Sequence, residues 1–201
     1  MKAVRYHEFG GPEVLRYENV LDPEPGPDDV LVDVVACAVG RLDVLLREGS
    51  FMLSGFNLPH IAGTSIAGVI SEVGAAVQHL KLGDRVVVNP ISNDHRHKGC
   101  VVLGANVPGG YAERCLVAAS NVYLVPHAIS LDAASVFWCS LMPDSSEPDN
   151  FELDNFGLAW EAFCVSDNTS LIHAVFALAD AAQAHREMLL EECVGKIILK
   201  P

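Results

Sequence analysis

The sequence predicts a mainly β chain with a few helices, its many short strands arranged as a barrel or sandwich. Three observations point there. Most of the 16 glycines and 11 prolines fall in the first two thirds of the 201 residues. Short valine-rich runs lie between them. Helical spacing of apolar residues is clear in only two places. Half of the residues are apolar and 19% are charged, a composition that excludes disorder as the dominant state and supports one domain with a real core.

Residues 4–6 and 15–20 are short strand candidates. Pro23-Glu24-Pro25-Gly26-Pro27 forbids regular structure and makes an extended connector. Residues 30–39, rich in valine, predict a well-buried strand. Leu42, Leu45 and Leu46 stand at helical spacing before Gly49, which predicts a short helix stopped by glycine. Residues 63–74 predict a glycine-punctuated strand, where small residues permit a close approach of backbones. Gly83-Asp84 turns into a strand at 86–89, and strands at 111–117 and 122–125 follow. In the tail, Leu178, Ala181, Ala182, His185 and Leu189 share one helix face; Gly195 is a candidate cap, and 196–199 the final strand. Residues 137–171 have two prolines, seven acids and no clear period, yet Trp138, Phe151, Phe156, Trp160 and Phe163 are too many aromatics for a solvated linker.

The formal charge is −13. Such a surface repels phosphate, which excludes nucleic acid and anionic membrane as natural partners. The excess is local: residues 131–171 carry eight acids and no base, and residues 172–201 sum to only −1. The charged N-terminus lacks the apolar core of a signal peptide, and apolar runs stop at about ten residues where a span needs about 20. A soluble, cytoplasmic protein is expected. The six cysteines are scattered with no C-x-x-C pair, so free thiols are expected.

Seven segments in order carry a family signature. They are Met1-Lys2-Ala3-Val4 with Gly10-Gly11-Pro12-Glu13-Val14-Leu15; Pro59-His60-Ile61-Ala62-Gly63 with Ala67-Gly68-Val69-Ile70; Leu82-Gly83-Asp84-Arg85-Val86; Gly109-Gly110-Tyr111-Ala112-Glu113; Leu131-Asp132-Ala133-Ala134; Ala181-Ala182-Gln183-Ala184-His185-Arg186; and Gly195-Lys196-Ile197-Ile198-Leu199. Together they resemble the medium-chain dehydrogenase/reductase family, in its quinone oxidoreductase and zinc-type alcohol dehydrogenase branches. The resemblance implies a GroES-like β-barrel catalytic domain over residues 1–136, completed by a C-terminal helix and strand over 172–201. It also implies a Rossmann domain between them that binds NADP or NAD. Residues 137–171 stand in that place as an acidic, irregular stretch. One βαβ unit alone needs about 30 residues, and no G-x-G-x-x-G follows a strand. The binding motif for the cofactor is therefore absent.

The resemblance also assigns site positions. The zinc-ligand cysteine of relatives falls on Gly40 and their Gly-His-Glu on Gly63-Thr64-Ser65, so zinc is not expected. Leu42 stands where zinc relatives keep a proton-relaying hydroxyl. Asp43 and Thr64 are the candidate catalytic residues, although Asp43 also suits a helix start and Thr64 a cap of its own backbone. Arg41 is the candidate cofactor contact, matching a position that meets the pyrophosphate in some relatives; an exposed arginine at a helix start is the alternative. His95-Arg96-His97-Lys98-Gly99-Cys100 could converge on a metal, but its two cations favour a solvated loop.

These readings leave three functions open. The chain is an NAD(P)H-dependent quinone, enone or carbonyl reductase shortened so that it lacks independent activity; or a non-catalytic GroES-like module for a small-molecule ligand or a partner; or residues 137–171 are an unspliced or misjoined stretch. A monomer, or an oligomer unlike that of the family, is expected, with an apolar wall exposed where the cofactor domain would sit.

Overall fold

The computed structural model describes residues 1–92, 100–141, 155–166, 172–190 and 194–201. Strand β1 (Lys2–Tyr6) lies between β2 (Arg16–Asn19) and, past the long strand β3 (Asp29–Val39), β4 (His60–Ile61), in a three-stranded antiparallel sheet. The larger sheet is organised by β3, whose run of valines suits a strand buried on both faces. It pairs along its length with β5 (Ser65–Val73), and β6 (Arg85–Val88) follows outside β5. After the short ribbon of β7 (Ile91–Ser92) and β8 (Val101–Val102), β9 (Arg114–Ala118) pairs with the first half of β3. Then β10 (Val122–Leu124) pairs with β6. Two late strands, β11 (Ile172–Ala177) and β12 (Lys196–Lys200), complete the order β10-β6-β5-β3-β12-β11.

β3 thus changes partner midway: Asp29 to Asp33 face β9, while Cys37 to Val39 face β12. Two register shifts against β5, at Leu31/Val32 and Val34/Ala36, supply the bend. At the second bend Gly68 is required, because a Cβ there would lie 2.2 Å from the Asp33 carbonyl oxygen. The fold is mainly β and GroES-like, but among the described residues the strand order runs from β10 to β11 without closing into a barrel.

Among the described residues five helices sit on this frame: α1 (Arg41–Glu48), α2 (Leu131–Ser135), α3 (Phe137–Leu141), α4 (Phe156–Cys164) and α5 (Ala181–Met188). None of the described residues forms a helix long and apolar enough to cross a membrane. Helix α1 ends at Gly49 in the left-handed region (φ 75°), as the leucine spacing and the glycine predict. The tail adds a strand to the expected helix and strand. β11 runs parallel to β12, and α5 is the crossover that parallel pairing demands.

Several expectations shift. The strand expected from residue 111 starts at Arg114, because Tyr111 and Ala112 turn into the core, both fully buried. Leu189 is 54% exposed, since α5 stops at Met188, and Gly195 (φ 103°) leads into β12 instead of capping α5. Within 137–171 the described residues form α3 and α4 and are not irregular. The seven acids and two prolines hid them, since most lie in 142–154, outside the described residues, as do 94–99 of the histidine loop and Cys193. The other five cysteines are free thiols.

The main core fills the space between the two sheets, from Val4 and Tyr6 through Val32, Ile66 and Ile70 to Leu178, Ile197 and Leu199. A second cluster lies where α2, α3 and α4 cover the opposite side of β5 and β6. Phe137, Trp138, Phe156 and Trp160 pack on Ala67 and Val87, each at most 5% exposed. Burying such a ring is worth about 1.5–3 kcal/mol. Trp160 also donates from Nε1 to the Leu124 carbonyl (3.1 Å), tying α4 to β10.

Candidate functional site

The family-assigned positions meet where the N-terminus of α1, the segment before β5, Tyr111, α3 and α5 converge. Asp43, in the first turn of α1, is fully buried. Its Oδ2 accepts from the Gly40 amide (2.7 Å) and its Oδ1 from the Gly63 amide (2.9 Å). The Thr64 amide and the Tyr111 hydroxyl donate to it as well. Burial pushes this carboxyl up to about 6, against the pull of these four donors. One carboxylate therefore holds the helix start and the β5 approach together.

The network continues outward. Tyr111 Oη lies 2.9 Å from His185 Nε2, and His185 Nδ1 lies 3.0 Å from Arg47 Nη1. Arginine has no acceptor, so Nδ1 must accept and the histidine proton sits on Nε2. That proton points at Tyr111 Oη, which leaves the phenol proton for Asp43. Burial, helped by the Arg47 charge, pushes His185 down to about 3, in keeping with a neutral ring. Arg47, fully buried, also donates from Nε to the Gly10 carbonyl (3.0 Å) and from Nη2 to Glu48 Oε1 (2.7 Å). Every member of the chain Arg47–His185–Tyr111–Asp43 is satisfied, the condition under which a buried polar network stabilises.

Cys139 on α3 fills the space beside Gly40. A Cβ at residue 40 would come within 3.1 Å of Cys139 Sγ and 3.3 Å of Asp43 Oδ2. Ser65 anchors the helix pair: its hydroxyl donates to the Ser135 carbonyl (2.6 Å) and accepts from the Cys139 amide (3.2 Å). Gly63 has φ 101°, and a Cβ there would meet the Tyr111 ring at 2.6 Å.

The structure brings Asp43 and Thr64 together, with Thr64 only 2% exposed. It leaves Arg41 outside the cluster, exposed on the first turn of α1. Arg47, Tyr111, His185 and Cys139 were not read as site residues from the sequence. His185 on an otherwise apolar helix face was the visible signal, because a histidine there needs a buried partner.

Zinc does not fit this donor set. Gly40 and Gly63 offer no side chain, and the Asp43 oxygens are already committed. Burial pushes the Cys37 thiol well up and the Cys139 thiol to about 12, so both stay protonated. Toward a dinucleotide the family resemblance assigns Arg41, which is exposed on the first turn of α1. Elsewhere, Pro59, Ile61, Leu103, Val107, Leu116 and Asn121 help line a cavity of about 430 Å³ that shares no lining residue with the Asp43 network.

Residues 26–127 match the family of the alcohol dehydrogenase GroES-like domain, just over half of the chain. The chain belongs to that family, within the medium-chain dehydrogenase/reductases. Over 127 residues it is 38% identical to a quinone oxidoreductase of Lama guanicoe, covering 63% of this chain and 34% of that protein. An NADPH-dependent alkenal/one oxidoreductase of Arabidopsis thaliana chloroplasts is 43% identical over 90 residues, 44% of this chain and 23% of that one. The structure of Escherichia coli quinone oxidoreductase complexed with NADPH superposes with a TM-score of 0.56 at 27% identity, over 68% of this chain and 36% of that one. This GroES-like chain spans about a third of the length of the quinone oxidoreductases it matches.

Proposed function

We propose that the chain is the GroES-like part of an NAD(P)H-dependent medium-chain oxidoreductase of quinone-, enone- or carbonyl-reducing type, shortened so that it has no independent activity. Residues 1–136 and 172–201 form the GroES-like domain, and 137–171 replace the cofactor domain. The occupied Asp43 carries the reading: both oxygens of the single site carboxylate hold backbone amides, and Cys139 and Gly40 close the space beside it. Proton transfer to a substrate needs a group with a free, reachable atom, and hydride transfer needs a placed nicotinamide. Around Asp43 the described residues offer neither. Titration of the purified chain with NADPH and with NADH, followed by calorimetry and nicotinamide fluorescence, is expected to show no saturable binding in the micromolar range. Saturable micromolar binding, or quinone-dependent NADPH oxidation, overturns the reading.

The cavity beside Ile61 and Leu103 supports a second reading, a module that binds a small, mainly apolar molecule in the cytoplasm. Its volume of about 430 Å³ lies in the range of ligand pockets. Ligand-detected NMR with small aromatic ketones separates the two readings, because this binding would persist without any nicotinamide. The packing of α4 against Tyr123 and Phe137 favours both over a misjoined segment.

A further inference from the structure

The two ends of the large sheet are finished differently. At one end β10 is three residues long, and Trp160 donates to its Leu124 carbonyl while Phe156 packs on Tyr123 (ring centroids 4.8 Å apart). At the other end β11 pairs with β12 along one edge, and among the described residues no strand pairs with its other edge. Its sequence, Ile172-His173-Ala174-Val175-Phe176-Ala177, has no proline, no lysine and no acid, the residues that usually blunt an edge. Large apolar side chains gather at the same border: Val175 is 53% exposed, Leu189 and Leu190 54% each, and Val194 83%. His173 Nε2 lies 3.6 Å from Glu187 Oε1, bringing the end of α5 to the start of β11.

We propose that β11 is a self-association edge, pairing antiparallel with β11 of a second copy about a two-fold axis. A strand laid antiparallel on its own copy is self-complementary in backbone hydrogen bonds, which is what an isologous interface requires. Charge selects this border for a second copy. Two chains of −13 repel over most of their surfaces, but β11 itself carries no acid and no base other than His173, so two copies can meet along this edge without opposing like charges. The area sets the strength. One six-residue edge with four apolar side chains falls short of the ~800 Å² per partner of a standard interface, giving a weak dimer with a dissociation constant on the order of 10–100 μM.

Sedimentation velocity and light scattering on the full chain, from about 5 to 500 μM, test this. The expected result is a monomer–dimer equilibrium that tightens severalfold between about 50 and 500 mM salt as the charges are screened. Val175→Lys is expected to weaken it at least tenfold. Leu124→Lys, the same change at the finished end, is expected to shift it less than twofold. Amide exchange of the wild type supplies a check independent of both variants: protection over residues 173–177 is expected to rise with protein concentration. A monomer throughout the range overturns the proposal. So does a dimer indifferent to Val175→Lys, one weakened equally by Leu124→Lys, or exchange at β11 that does not change with concentration.

Discussion

The molecule holds its frame together in two places with opposite chemistry. Around Asp43 the contacts are polar, directional and fully paired, and they link α1, the β5 approach, Tyr111 and α5. Around Phe137 the contacts are aromatic and non-directional, with Phe156, Trp160 and Phe163 ring centroids each 5.1 Å from that of Phe137. The polar site fails sharply when one member is lost, since each remaining buried group becomes an orphan. The aromatic site fails in proportion to the volume removed. The positions that the family resemblance assigns thus hold a structural knot, and α3 and α4 carry packing.

The largest expected effect comes from Asp43→Ala, which strands three amides and the Tyr111 hydroxyl in the interior. A loss of about 3–5 kcal/mol is expected in urea unfolding, and a loss below ~1 kcal/mol would break the contrast. Trp160→Ala is expected to cost about 3 kcal/mol, with α4 loosening first, seen as fluorescence change and amide exchange confined to 156–164. Global unfolding without that local step would make the two clusters one cooperative unit.

Acid separates the sites further. His185 is held near 3 when folded and titrates near its ordinary 6.5 when unfolded, so stability it contributes above pH 6.5 is lost as pH falls toward 3. Asp43, raised to about 6, acts in the opposite sense, its contribution being present below its ordinary 3.8 and lost as pH rises through about 6. The two slopes cancel between about pH 6 and 3.8, so the net fall from this pair is expected below pH 3.8, where His185 acts alone down to about 3. His185→Gln keeps one acceptor and one donor without the titration, and should flatten that fall when urea midpoints are measured across this range. The smallest effect is expected from Gly40→Ala, whose methyl presses on Cys139 Sγ at 3.1 Å and should cost about 1 kcal/mol. A stabilised Gly40→Ala would mean that α3 yields easily.

Much of the frame was legible because local rules decide it. The valine run of β3, the leucines and terminal glycine of α1, and the final strand each read from a few residues. β11 was missed although its burial alternates residue by residue, because His173 interrupts so short a run. The start of β9 moved because Tyr111 reaches for His185, a partner 74 positions away. The site was legible as positions and not as a network. Asp43 and Thr64 could be named from the motif, whereas nothing local marks Arg47, whose partner His185 lies 138 positions away on α5.

The place of β12 has a consequence for synthesis. It enters the interior of the large sheet, between β3 and β11, as the last strand of the sequence. The half of β3 that it pairs with, Cys37 to Val39, is made near the beginning. At about 5–20 residues per second that edge waits roughly 10–30 s for its partner. During the wait His185 is also missing, so Arg47 and Tyr111 stand without their bridge. The nascent chain is therefore expected to recruit chaperones through this open, apolar edge of β3 until β12 arrives.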